Sequence, residues 1–154
     1  MMKHLVFLGI GIVLTVVFFI LACIDNPEVN IFDLMYYNPE FGDAVFNNSL
    51  YPLVAAIVAI MAWGGAAVYY FVINSVNFDR WYHWAGVLAV VTLLTPIVNY
   101  FVIEGVLSSE GLDLVGATIQ FVLRLMLLVA VLFVAASFSM RWWSSNCRHT
   151  PFPQ

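Results

Sequence analysis

The chain has 154 residues, of which 64% are hydrophobic and only 9% charged, and its formal net charge is −4. A soluble domain of this size could not cover itself with so little polar surface. The composition therefore points to a chain whose solvent is the lipid bilayer, and no nucleic-acid partner is expected.

Four apolar stretches, at about 5–24, 52–74, 82–103 and 114–138, each approach the roughly 20 residues needed to cross a bilayer. Backbone groups in lipid need internal partners, so each stretch is predicted to be helical, and no alternating pattern suggests barrel strands. The first stretch follows Lys3 and His4 and ends in Ile20-Leu21-Ala22-Cys23, which loosely follows the pattern of a lipoprotein cleavage site. It reads as an uncleaved signal anchor, because its removal would leave three spans. Cys23 reads as a small, buried apolar residue. Cys147 falls on the opposite membrane face, so the two cannot pair, and no metal-binding Cys/His spacing is present.

The connection 25–51 repeats one short motif, Asn26-Pro27-Glu28 and Asn38-Pro39-Glu40. Asparagine as N-cap, proline at the first helical position and glutamate near the positive end of the dipole predict two short helices. Ile31, Leu34 and Met35 would share one face of the first, and Phe41, Ala44 and Val45 one face of the second. Acids on one side and aromatic residues on the other suit an interfacial position. The segment reads as a cap over the end of the bundle and as a docking surface built from Asp33, Tyr36, Tyr37, Glu40, Phe41 and Asp43. A sequon, Asn47-Asn48-Ser49, precedes the second span, which opens on a first-turn proline, Pro52.

Along the second span, Ala55, Ala59, Ala62 and Ala66 recur at i, i+4, i+7 and i+11. Such a stripe lets helices approach closely where lipid supplies no hydrophobic drive. Packing within the chain is the first expectation, with Gly9 and Gly11 as counterparts, and self-association the second. The remaining connections are short, which favours an up-down-up-down bundle. Trp81, Tyr82 and Trp84 at one helix end and Trp142 and Trp143 at another fit an aromatic belt.

Charge sorts by side. Lys3, Arg80, Arg141 and Arg148 flank the spans on one face, whereas eight of the nine acids lie on the other. The positive-inside rule places the basic face, and both termini, in the cytoplasm. The chain is thus expected to be a single all-α domain over 1–154, a four-helix multi-pass protein of the inner membrane.

The fifth base, Arg124, stands inside "ATIQFVLRLMLLVAV" at 117–131. It is about ten residues into the fourth span, roughly 15 Å deep, where a charge costs at least about 2.5 kcal/mol. Gly116, Gln120 and Arg124 share a face. Thr92, Thr95 and Asn99 on the third span, and Thr15 on the first, fall at similar depth. Pro96 frees the Thr92 carbonyl as a further acceptor. These groups are expected to solvate Arg124, with Glu104 bending in from the end of the third span. No acid lies at the arginine's own depth, so a counter-charge on another subunit is an alternative.

No catalytic constellation, haem pair or metal spacing is evident, and no cofactor is expected. The sequence suggests a non-enzymatic anchor or scaffold subunit of a larger membrane or envelope-spanning complex, whose partners are the lipid bilayer and other membrane subunits or further copies of itself. An oligomeric channel or carrier using the polar face of the third and fourth spans is the alternative. An immunity-type membrane protein is a third.

Overall fold

The computed structural model describes residues 2–73, 76–78 and 80–144, without the side chains of residues 2–4 and 76. The expectations that rest on Asp79, Cys147, Arg148 and His149, and on the side chains of Lys3 and His4, fall outside what is described. The described chain is all-helical, and four of its helices are long and apolar enough to span a membrane.

Among the described residues six α-helices occur in order: α1 (Met2–Cys23), α2 (Ile31–Met35), α3 (Pro39–Asn47), α4 (Leu50–Ala67), α5 (Trp81–Ser109) and α6 (Val115–Met140). A π-helical stretch, Val68–Ile73, prolongs α4, and 3₁₀ turns occur at Val76–Phe78 and Arg141–Trp143. The third span runs on to Ser109 rather than stopping near 103, so Glu104 belongs to the helix and not to a loop. Pro96 lies inside α5 without ending it.

Helix α6 is the hub, packed against α5, α4 and α1, and α4 also touches α1 and α5. At one end of the bundle Phe7 of α1 meets Phe138 edge-on at 4.8 Å and stacks on Trp142 at 5.6 Å. Trp84 of α5 donates to Ser137 Oγ of α6 (3.1 Å). At the other end Phe18, Phe32, Tyr51 and Phe121 join α1, α2, α4 and α6 in one aromatic cluster.

The alanine stripe is buried inside the chain: Ala55, Ala62 and Ala66 are wholly covered, and Ala59 nearly so. Packing within the chain thus accounts for it, and it is not free for self-association. Of the two glycines expected opposite it, Gly11 is one close approach, since a Cβ there would collide with Ser139 and Trp63; Gly9 faces open space. Gly65 of α4 is similarly pressed by Val91 and Phe133.

Residues 25–49 do form two short helices, but α2 starts later than the motif at Asn26 suggests. Asn26 caps only a turn, accepting from the Glu28 N–H (3.0 Å). Asn30 is the N-cap of α2, accepting from Phe32 N–H (2.9 Å). Its amide also donates to the carbonyls of Ala22 (3.1 Å) and Ile24 (3.0 Å). One buried side chain thereby satisfies the end of α1 and the start of α2. Helix α3 begins as expected, with Asn38 accepting from Phe41 N–H (3.1 Å) and Pro39 in the first turn. Phe32, not Leu34, is the inward anchor of α2, and Leu34 is exposed. Cys23, expected to be buried, is exposed; its neighbour Ala22 is the residue that faces in.

Candidate functional site

Arg124 lies at the seam between α6 and the folded segment that covers the end of the bundle. Its side chain is exposed. Nη1 donates to the Gln120 carbonyl one turn back (3.0 Å), and Cζ stands 4.6 Å from the centroid of the Tyr36 ring. A guanidinium within about 6 Å of an aromatic face is attracted by the ring quadrupole. Arginine has five N–H donors, and the hydrogen bond to Gln120 uses one. Among the described residues Arg124 has no ion-pair partner.

The groups expected to solvate it are elsewhere. Thr15 donates to Gly11 O (2.9 Å) and accepts from Trp63 Nε1 (2.9 Å), tying α1 to α4. Thr92 and Thr95 donate to the carbonyls of Leu88 and Val91, and Asn99 Nδ2 donates to Thr95 O (2.9 Å). Each of these threonine and asparagine donors bonds a carbonyl of its own helix, while the buried Asn99 Oδ1 has no hydrogen-bond partner among the described residues. Thr95 and Asn99 are wholly buried, whereas Gln120 and Arg124 are exposed, so the two polar stripes do not face one another. Glu104 is half-buried, with Oε1 unpartnered, and makes no pair with Arg124. The buried stripe of α6 is instead Thr118, Phe121, Val122, Leu125, Val129 and Leu132, which leaves Arg124 on its flank.

Helix α6 sets where the charge stands along the bundle. Its 26 residues span about 39 Å at 1.5 Å per residue, more than the roughly 30 Å hydrocarbon core. Measured from the Arg141–Trp143 turn, where Trp143 is exposed, Arg124 is about 24 Å along the helix.

The cap itself is held from below. Phe41 (1% exposed) packs on Phe121 at 5.2 Å, and Tyr36 on Phe41 at 5.9 Å. Tyr51 donates to Asp33 Oδ1 (2.6 Å). Thus Phe41, Tyr36 and Asp33 serve the internal structure, while Tyr37, Glu40 and Asp43 remain on the surface. A cleft of about 140 Å³ separates the end of α1 from the cap, with Asp25, Asp33 and Asp43 among its walls.

No family model, curated protein or solved structure matches the chain. Among the described residues no group of three or more His, Cys, Asp or Glu is placed to hold a metal ion. Sequence reasoning missed Asn30, Tyr51 and Trp63 as the polar links between elements. Asn30 was legible as an asparagine immediately before an apolar pair; the other two carry no local signal, because their partners are 18 and 48 residues away.

Proposed function

We propose that the chain is a non-enzymatic subunit, an anchor or scaffold, of a larger assembly in the inner membrane. In this reading the bundle is up-down-up-down with both termini in the cytoplasm, and the capped end faces out. The observation that carries it is Arg124, a guanidinium on the exposed flank of a membrane-length helix, with a ring and one carbonyl for company and, among the described residues, no acid. Gln120, Arg124, Leu127 and Val131 are all exposed and follow one another at intervals of four, three and four residues. That is the stripe one packed helix presents to another. A partner helix laid along it, with a carboxylate at the level of Arg124, would neutralise the charge and cover the apolar residues beneath it. The exposed Tyr37, Glu40 and Asp43 would meet the partner's outer portion.

A channel or carrier using the polar residues of α5 and α6 gains less support. Its lumen would need Thr95 and Asn99 beside Gln120 and Arg124, yet the first pair is interior to the monomer and the second is exposed.

The test is copurification of the tagged full chain from its native host in mild detergent. The subunit reading expects stoichiometric host membrane proteins with the wild type and their loss with Arg124→Leu, while helical content and yield are preserved. A wild-type chain that purifies alone, or partners retained undiminished by Arg124→Leu, would overturn it.

A further inference from the structure

A groove runs between the π-helical end of α4 and the first turns of α5. Its volume is about 460 Å³, and it is walled by Gly65, Val68, Ile73, Gly86, Val87 and Val90. Phe78, Tyr82 and His83 line it at one end and Val91 at the other. From Tyr82 to Val91 it extends nine residues of α5, about 14 Å at 1.5 Å per residue. Val68, Phe78, Tyr82 and Val90 are exposed, so the groove is open sideways to whatever surrounds the bundle. Two sequence features shape it. The π-helix breaks the regular spacing of α4, a distortion frequent at functional sites. Gly86 contributes no side chain, and a Cβ there would meet nothing within 4 Å.

The mouth of the groove is polar, and one cation, Arg80, stands beside its lining residue Tyr82. His83 stands 4.9 Å from the Phe78 ring and 4.3 Å from the Tyr82 ring, and its Nδ1 is buried with no hydrogen-bond partner. Arg80 is exposed; its Nη1 donates to Tyr82 Oη (3.3 Å), and its Cζ lies 5.9 Å from that ring. Every described acid is at the other end of the bundle. The groove thus joins an apolar trough, of membrane depth, to a cationic group and an unsatisfied imidazole nitrogen at the boundary.

We propose that this groove is a binding site for one anionic phospholipid, an acyl chain lying along Val68, Gly86 and Val90 and the phosphate head at Arg80 and His83. Charge complementarity selects that occupant. Basic pockets between spans at one membrane boundary suit anionic head groups, whereas a second copy of the same groove would bring Arg80 against Arg80. The site is independent of Arg124 and of any partner subunit.

The test uses the full chain in detergent, titrated with phosphatidylglycerol or with phosphatidylcholine of the same acyl chains, with bound lipid counted by native mass spectrometry. One tightly held phosphatidylglycerol is expected, preferred over phosphatidylcholine. Arg80→Gln is expected to reduce that preference about fivefold, taking roughly 1 kcal/mol per basic group near an anionic surface at 1.4 kcal/mol per tenfold. Gly86→Leu should fill the trough and remove retention of either lipid. Because Gly86 borders open space, this variant is expected to fold, as far-ultraviolet circular dichroism would check. Should Gly86→Leu lose helicity, Val90→Phe, at an exposed wall position, takes its place. Equal retention of both lipids by the wild type would overturn the assignment. So would a lipid kept by the filled groove, or a two-chain species that Gly86→Leu converts to monomer.

Discussion

The contact between Tyr36 and Arg124 is the only described interaction of that guanidinium beyond its own helix, and its energy can be isolated. Replacing Tyr36 with Leu keeps an apolar side chain over α6 but removes the ring face. Replacing Arg124 with Leu removes the charge while retaining much of the stem. At 4.6 Å, with an exposed arginine and a half-covered tyrosine, the interaction belongs between the exposed and desolvated limits, about 1 kcal/mol. That corresponds to about a fivefold change in the opening equilibrium of the cap. The readout is amide hydrogen exchange in detergent at Tyr36, whose N–H donates to Phe32 O (2.9 Å), and at Gly42, whose N–H donates to Asn38 O (2.7 Å). Each single variant should speed exchange there, and the double variant should be no faster than about the quicker single. Additivity within about 0.3 kcal/mol is what non-interacting residues give. That result would refute the claim that Tyr36 holds the arginine, and with it the account of why the charge tolerates its position in the isolated chain.

Asn30→Ala removes one N-cap bond and two bonds to the end of α1. A cap alone is worth about 1 kcal/mol, so the midpoint of thermal unfolding should fall and residues 31–47 should become the first site of proteolysis. Gly11→Leu forces α1 away from Ser139 and Trp63; the Trp63 indole emission should then shift, and Cys substitutions on α1 facing α6 should become reactive. Cys23 is exposed at the end of α1, so in a Cys147→Ser background an impermeant maleimide added to spheroplasts should label it. Labelling only after the membrane is opened would invert the proposed orientation.

The four spans were legible because lipid leaves helices as the way to pair every backbone group, and because few residues break the apolar runs, although the third helix runs six residues past its expected end. Rotation of each helix about its axis was not. In water the polar face declares itself, but here Val68, Leu127 and Val131 face outward with the same chemistry as Val58, Leu125 and Val129 inside. The polar residues did not settle the question either. The donors of Thr92, Thr95, Thr118 and Asn99 each bond a carbonyl four residues back, so none of those donors points to Arg124. The alanine stripe was a better guide, because small side chains are useful only where another helix comes close. In the cap, the repeated Asn-Pro-Glu drew the first helix start to Asn26. Asn30 wins because it also satisfies the last carbonyls of α1, a tertiary advantage invisible to local capping rules.

The arrangement around α6 narrows where a partner can bind. The packed sides of that helix are taken by α1, α4 and α5, and what remains is the exposed side that holds Gln120, Arg124, Leu127 and Val131 together with Ile119 and Leu123. Leu127 and Val131 lie 65% and 58% exposed. In a lipid environment their exposure carries no penalty, so hydrophobic burial cannot by itself draw a partner there; the charge must. Recognition is then expected to depend on Arg124, with the apolar pair setting register. This makes a spatial prediction. A photo-crosslinker at Leu127 or Val131 should capture the same partner, and Arg124→Leu should abolish both adducts, whereas a crosslinker at Ile60, exposed on α4, should capture it at neither charge state. Adducts at Ile60 equal to those at Leu127 would mean that partner contact is generic lipid-phase encounter, and the arginine would lose its claim to specify it.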